Sequence, residues 1–416
     1  MPRRLNAHGG VVCSLLSISG CLAAADGSAT APEATPPPAP APVLAPAHDS
    51  LDLGDLQIHG FASQGYLKSS ANNALADSKR GSAEFNEFAL TIIDRPTPDL
   101  SIGVQFGARD VGTLGDDEPN LDWAMADYHW RDWLGLRVGK IKQPQGLYNE
   151  YRDVDLTRTA VLLPQGVYQE NLRDVNESFI GAEAYGDCPL EDLGSGDYQV
   201  YAGNIVSRTD GLTQLVDDTT PITVSSVHFR YAWGGRATWI APLPGLRAIG
   251  YYNRANLVVD GTLTLPPFGP GQPPVTIPVE AENDVQICGT GAEYERDDLT
   301  LAAEYQHVIV RSTPLGAASA HSAVGSNNGY VLASYRFNPW FALGSYAAMT
   351  REKGMSGAHS YQKDLALTVR FDPDPHWLVK LEGHYMDGTA LLINSQNPDG
   401  YDDHWWLFAA KTTFSF

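Results

Sequence analysis

Apolar and polar residues alternate along most of the chain from residue 56 onward. At 100–109, leucine, isoleucine, valine, phenylalanine and alanine occupy the even positions, and polar or small residues occupy most odd ones. A period of two is typical of a β-strand with one apolar and one polar face. The pattern predicts sixteen strands, at 55–68, 81–92, 97–110, 120–130, 133–144, 177–187, 193–205, 225–241, 246–257, 286–295, 298–308, 327–337, 339–350, 360–371, 376–387 and 404–416.

The predicted connections alternate in length. Short ones, such as 94–96, 131–132 and 372–375, are followed by long ones, such as 111–119 and 145–176. Short turns at one end, long loops at the other and an even number of strands are the layout of an outer-membrane barrel. We therefore predict an all-β fold over 55–416: a transmembrane antiparallel β-barrel of 16 strands, with long external loops and short periplasmic turns.

A soluble β-sandwich or solenoid is the alternative, because its strands would alternate too. No fixed-length repeat is present, which argues against a solenoid. Aromatic girdles lie at the two interfaces of a membrane barrel. The tryptophans at or near predicted strand ends fit such girdles, and they are Trp123, Trp130, Trp133, Trp239, Trp340, Trp377, Trp405 and Trp406.

The first 54 residues are predicted to lie outside the barrel. Residues 1–25 have a signal peptide's basic start, short apolar run and small residues for cleavage. Cys21 ends a lipobox-like tetrapeptide, so lipidation of Cys21 is a second interpretation. Residues 26–54 are rich in proline and alanine, which favours an extended periplasmic linker. Export to the outer membrane of a Gram-negative bacterium is the location that we expect.

Composition excludes one class of partner. The chain has 28 Lys and Arg against 49 Asp and Glu, a formal net charge of −21. Nucleic acid is therefore not an expected partner, because phosphate binding needs a basic face.

Two segments carry a family resemblance. Residues 405–416, which end in Phe414, Ser415 and Phe416, resemble the last strand of bacterial outer-membrane proteins, and 56–66 resemble the first strand of proteobacterial porins. The resemblance implies a water-filled channel for passive diffusion of small hydrophilic solutes and ions. It also implies that Phe414 and Phe416 are read by the barrel-assembly machinery, that the barrel contacts outer-membrane lipid and lipopolysaccharide, and that the chain forms a homotrimer. Small outward residues near the first and last strands are compatible with a trimer face, and these are Gly60, Ala62, Ala410 and Thr412.

The third long loop, 145–176, is the longest and contains an apolar run at 160–164 between charged stretches. In porins the third external loop folds into the barrel and narrows it, so this loop is the candidate constriction loop. A loop that covers the mouth or contacts a neighbouring subunit is the alternative.

Strand parity and the third loop nominate pore-lining residues. The candidates are Arg109, Arg137, Glu150, Arg152, Asp153, Asp155, Arg158, Glu183, Arg230, Arg236, Arg370, Lys380 and Glu382. Charged groups along a pore select ions by their field. Arg137, which just precedes the third loop, is the residue that we expect at the constriction. A cross-strand ion pair is the alternative for each charge taken alone. Tyr128 and Tyr251 also fall on lumen parity, too few for the aromatic lining of a sugar channel.

Enzymatic chemistry is not indicated. The chain has no G-x-S-x-G, no H-E-x-x-H and no P-loop. We expect no catalytic residues, no metal and no cofactor. The remaining alternatives are a gated or plugged barrel that tethers envelope layers and, less favoured, a barrel-embedded hydrolase.

Overall fold

Sixteen antiparallel strands form one closed sheet. The computed structural model describes residues 56–219, 222–265, 273–315 and 322–416. Each strand pairs with its chain neighbours, and β1 pairs with β16, so the sheet closes on itself. The predicted barrel is confirmed. Its strands are β1 (Gln57–Ser69), β2 (Asn86–Thr97), β3 (Leu100–Asp110), β4 (Asn120–Arg131), β5 (Leu134–Lys142), β6 (Ser178–Pro189), β7 (Ser195–Asn204), β8 (Ile222–Ile240), β9 (Leu246–Leu265), β10 (Val275–Arg296), β11 (Leu299–Leu315), β12 (Ser322–Asn338), β13 (Phe341–Lys353), β14 (Tyr361–Asp374), β15 (Trp377–Gly388) and β16 (His404–Ser415).

The alternation of side chains defines the two faces of the wall. In β16, Trp406 and Phe408 are exposed on the outside, whereas Leu407 and Lys411 are buried inside. An apolar exterior with a mixed interior is the arrangement of a membrane barrel. The connections between strands also alternate in length as predicted, because short turns, such as that between Arg296 and Leu299, are followed by long loops.

Strands β9, β10 and β11 extend well beyond the predicted ends. Their pairing continues from Tyr294 with Leu246 outward to Val275 with Leu265, so much of the predicted loop 258–285 is a hairpin. The sequence there is rich in threonine, valine and proline without an apolar outward face, because that part needs none beyond the bilayer. The prediction that 225–241 is one strand across two glycines is confirmed by β8.

Helices are few and short in the described residues. The longest are α1 (Arg173–Glu177) and α2 (Asp210–Thr219), and single 3₁₀ turns occur at Asn149–Tyr151, Asp155–Thr157, Glu170–Leu172, Glu191–Leu193 and Ala358–Ser360. None of these helices has the length and apolar character to cross a bilayer. The predicted signal peptide, linker and Cys21 lie outside the described residues.

External loops pack down into the barrel. One apolar cluster joins Leu75 of the first loop, Leu114 of the second and Leu162 of the third to Trp405 and Leu407 on the inner face of β16. The barrel is therefore filled near its external end. Two of the predicted girdle residues are corrected: Trp405 belongs to this cluster, and Trp123 is also buried inside the barrel, whereas the other six tryptophans of the predicted girdles are exposed.

Replacing Leu407 by alanine should lower the free energy of unfolding by about 2–5 kcal/mol, because the closed cluster leaves a cavity at the deleted atoms. The matched control is Leu381→Ala on the outer face of β15, where Leu381 is exposed and lipid can fill the space. Urea unfolding in lipid vesicles, followed by tryptophan fluorescence, measures both losses. Equal losses would contradict a packed interior.

Candidate functional site

The third external loop connects β5 to β6 and lies inside the barrel. Its two ends are tied together, because the Gln143 amide donates to the Glu177 carbonyl at 2.8 Å. The side chain of Asn149 then donates to the carbonyl oxygens of Gln143 and Asn176, at 3.1 and 2.8 Å. The loop thus leaves and rejoins the wall at one place, and its middle extends across the lumen.

Asp155 is the most buried charge of the loop and faces β15 and β16. Its carboxylate lies 2.7 Å from Lys411 Nζ and 3.6 Å from Lys380 Nζ. Thr413 donates a hydrogen bond to it at 2.8 Å, and Arg158 pairs with it at 3.0 Å. The side chains of Asp155 and Lys380 have no exposed surface. Two wall cations therefore hold one loop anion out of contact with water.

The apolar run is held by its backbone as well as by its side chains. The amides of Val161 and Leu162 donate to the two carboxylate oxygens of Glu382, at 2.8 and 2.9 Å. Thr368 also donates to Glu382, at 2.5 Å. His384 lies 3.0 Å from Glu382 and 3.0 Å from Asp364, bridging the two carboxylates. A buried wall carboxylate thereby satisfies loop amides that could not reach water.

Arg370 and Lys380 of the wall also bind loop carbonyls. Arg370 Nη1 donates to the carbonyls of Leu156 and Arg158, at 2.7 and 3.0 Å. Lys380 Nζ donates to the carbonyls of Asp155 and Ala160, at 2.8 and 3.1 Å. Together with the Glu382 contacts, these bonds fix residues 155–162 on the β14–β16 wall.

Two other parts of the loop, at Leu147 and Tyr168, are fixed on the far wall by one carboxylate. Tyr168, Tyr251 and Tyr330 donate to Glu304 at 2.6, 2.9 and 3.0 Å. Leu147 contributes its backbone amide to the same carboxylate, at 3.3 Å. The buried carboxylate of Glu304 on β11 thus holds both ends of the loop segment 147–168.

Ion pairs connect the start of the loop to β8. Arg236 lies 2.5 Å from the Glu150 carboxylate and donates to the Gly146 carbonyl at 3.0 Å. Gln199 also donates to Glu150, at 3.0 Å. Glu150 is therefore engaged by two neighbouring strands.

The loop's remaining charges meet β2, β3 and β5. Asp174 pairs with Arg109 of β3 at 3.0 Å, and Arg173 pairs with Glu87 of β2. Asp153 pairs with Lys142 of β5 at 2.8 Å. Within the loop, Arg152 pairs with Glu170 at 2.8 Å. Sequence reasoning did not select Glu170, although it lies in the loop beside the charges that it neutralises.

Arg137 and Glu183 form a wall pair instead of facing the loop. Arg137 lies 2.8 Å from Glu183 and 2.9 Å from Asp127, both on adjacent strands. Its guanidinium stacks 4.1 Å from the Tyr185 ring centroid. All of these contacts are cross-strand, which is the alternative that the sequence left open for Arg137.

Two lumen assignments are wrong. Arg230 lies at a β-bulge in β8 that shifts the face of the residues beyond it, and it pairs with Glu280 and Glu282 of β10. Along β10, residues of odd and even number point to opposite faces. Ile287 packs in the interior, so Glu280 and Glu282 point outward. Arg230, which pairs with them, is therefore on the outer face. Tyr128 is also outside, with 46% of its surface exposed. Tyr251 is inside, as predicted.

The loop is bonded to strands on opposite sides of the ring. Hydrogen bonds and ion pairs described above connect it to β2, β3, β5, β7, β8, β11 and β14–β16. Arg247 of β9 also donates to the Tyr151 hydroxyl of the loop at 2.9 Å. Tyr148 of the loop adds β10 by donating to Glu293 at 2.8 Å. The charges inside the barrel are mostly paired, and the loop crosses the lumen rather than following one wall. No set of three or more His, Cys, Asp or Glu side chains with metal-site geometry occurs in the described part of the chain.

Wall and loop cations lower the pKa of the loop's carboxylates. Burial alone would raise the pKa of Asp155, but Lys411, Lys380 and Arg158 outweigh burial and hold it well below its usual range. Burial is likewise outweighed at Glu170, where Arg152, Arg173 and Arg109 lower the pKa. For Asp153, Lys142 and Arg173 overcome burial and lower the pKa to about 2.

Known proteins resemble this chain in fold and not in sequence. No protein-family model matches it, and no curated protein matches it. Among solved structures, OmpT of Vibrio cholerae has a TM-score of 0.54 at 10% identity, covering 88% of this chain and 100% of that one. The outer-membrane channel DcaP of Acinetobacter baumannii has a TM-score of 0.52 at 11% identity, with 87% and 97% covered. An anion-selective porin from Comamonas acidovorans has a TM-score of 0.51 at 11% identity, with 87% and 99% covered. The chain therefore has the fold of an outer-membrane porin.

Replacing Asp155 by asparagine should destabilise the protein by about 3–5 kcal/mol, because two buried lysines lose their counter-charge. Asp77→Asn is the matched control, since the Asp77–Arg80 pair is exposed and should contribute at most about 1 kcal/mol. Urea unfolding measures stability, and limited proteolysis within 143–177 reports release of the loop. An unchanged D155N protein would contradict an anchoring role for Asp155.

Acid should release the third loop only at very low pH. The loop carboxylates have depressed pKa values, so their ion pairs stabilise the loop fully at every pH above the ordinary carboxyl pKa of about 4. This stabilisation is lost as the pH falls toward about 2. Hydrogen–deuterium exchange of peptides from 143–177 should therefore show protection at pH 4.5 and its loss near pH 2. Peptides from the strands β13–β14 are the control. Loss of loop protection between pH 7 and 5 would contradict the assignment.

Proposed function

We propose that the chain is an outer-membrane channel through which small hydrophilic solutes and ions diffuse passively. One observation carries the proposal: a long external loop enters the lumen of a 16-stranded barrel and meets a wall of charged side chains. A barrel of this strand number is wide enough for an aqueous passage. The loop is the constriction in this proposal, and Asp155, Glu150 and the cations facing them set its position.

The candidate pore residues have different roles in this proposal. Arg109, Arg236, Arg370, Lys380 and Glu382 hold the loop from the wall. Arg152 and Arg158 hold it through ion pairs within the loop, and Asp153 ties it to Lys142 of β5. Arg137 and Glu183 charge the wall beside it. We propose no catalytic residue, metal or cofactor.

A plugged or gated barrel is the second candidate, and a specific observation favours it. The loop is bonded to both sides of the ring, and Lys380 and Trp405 have no exposed surface. Such an interior could close the passage until the loop moves. An envelope-tethering role through the proline-rich segment belongs to this candidate.

We also propose how the protein is exported, assembled and oligomerised. The N-terminal segment 1–25 would direct export in a Gram-negative bacterium. Phe414 and Phe416 are exposed on the outer face, where the barrel-assembly machinery could read them. A homotrimer is supported by the trimer form of the similar OmpT structure. Of the small residues proposed for its face, Ala62 is exposed, whereas Gly60 is covered by Phe416.

Single-channel recording in a planar bilayer separates the two candidates. The refolded protein should give discrete conductance steps, and a variant with 150–170 replaced by a short Gly-Ser linker should give steps several-fold larger, because the lumen loses its crossing loop. A variant shortened in the external loop 354–360, which leaves the lumen contacts intact, is the matched control and should conduct like the unmodified protein.

The remaining outcomes contradict the open channel. A silent protein that conducts once 150–170 is replaced is a barrel plugged by this loop. Silence of both folded proteins would overturn the channel proposal altogether.

A further inference from the structure

A shallow apolar groove crosses the outer wall of the barrel on β9–β14. Its volume is 550 Å³. Small side chains, among them Ala303, Ala333 and Ala347, form its floor, and Val331 and Leu365 border it. Val331 and Leu365 are 59% and 56% exposed. The outward face is thus recessed where its neighbours carry large residues.

A basic cluster lies on the same face beyond the external end of the groove. Asn327 pairs with both His307 and Arg351, which places these two side chains in one row across three strands. Lys353 Nζ lies 3.2 Å from His307 Nε2. Lys363 follows on β14, with its ammonium 5.0 Å from the Tyr361 ring centroid.

Part of this positive charge is uncompensated. Lys363 pairs with Asp387 at 2.7 Å. Arg351 and Lys353 are exposed, and neither forms an ion pair with a carboxylate of the described residues. The chain as a whole is strongly acidic, with a formal net charge of −21. A local excess of cations at this level is therefore a distinct feature of the surface.

The spacing of groove and cluster fits an amphiphile with a negative head. Arg351 follows Ala347 on β13 by four residue steps, which is about 14 Å along a strand. The external loop 354–360 follows Lys353 directly, so the cluster is at the external interface. Exposed tyrosines between groove and cluster, such as Tyr305, are typical of the interfacial level of a bilayer.

We propose that this surface binds a phosphorylated, acylated lipid of the outer leaflet. One acyl chain occupies the alanine groove, and a phosphate group contacts Arg351, Lys353 and His307. The occupant is a lipid rather than a second copy of this chain. The groove ends near Arg351 and Lys353, which have no carboxylate partner among the described residues, so a ligand that fits both features carries an anionic group. The inference rests on placing the barrel in the outer membrane and is independent of whether the barrel conducts.

The first test is native mass spectrometry of the refolded protein with bisphosphorylated lipid A in detergent. The double variant Arg351→Ser and Lys353→Ser should bind lipid A about 25-fold more weakly, since each basic side chain near an anionic lipid contributes roughly a fivefold factor. The control is Arg95→Ser and Arg131→Ser, which removes the same charge from exposed residues near the periplasmic turns. Equal weakening by both variants would overturn the site, because general electrostatics would explain it.

The second test separates head from tail. Ala303→Phe with Ala347→Phe fills the groove and should weaken binding of lipid A and of its dephosphorylated form alike. The Arg351 and Lys353 variant should weaken only the phosphorylated form. If the groove-filling variant changes the oligomeric state and leaves lipid binding intact, the groove is a subunit contact and the proposal fails. Conductance of the same variants is recorded, so that loss of the channel is distinguished from loss of lipid.

Discussion

Pairing of β1 with β16 is the contact on which the other features of the molecule depend. A strand that crosses a bilayer cannot leave backbone groups without partners, so the sheet must close. Closure around sixteen strands creates an interior that the wall side chains alone are too short to fill. The third loop occupies part of this interior, and its side chains and backbone pair with many of the charges on the wall. Asp155 between Lys380 and Lys411 and Glu382 beneath two loop amides are the clearest cases.

Much of the architecture could be predicted from residue patterns. Period-two alternation located all sixteen strands, and β8 was continuous across Gly234 and Gly235 as parity required. The ends of β9 and β10 were missed, because alternation weakens where a strand leaves the bilayer and no lipid selects for apolar residues. Parity also failed at Arg230, since a one-residue bulge reverses the face of a strand and leaves no mark in composition.

The site was harder to predict than the wall. The apolar run at 160–164 indicated a loop packed against something, yet its partners lie more than 200 residues away on β14–β16. Tyr168 was not selected for the site. Strand parity placed Glu304 among the acidic lumen residues but did not single it out, although four donors converge on its carboxylate. Such convergence depends on how far the loop reaches across the ring, which is a property of three-dimensional register and not of any local pattern.

Because the third loop is bonded to opposite walls, it is also a mechanical brace. Glu304 on one side and Lys380, Glu382 and Lys411 on the other are joined through a single loop of the chain. The cross-section of the ring cannot flatten without stretching those bonds. Lateral pressure from the bilayer is thus transmitted to the same loop that occupies the lumen, which couples the shape of the barrel to whatever space remains inside it.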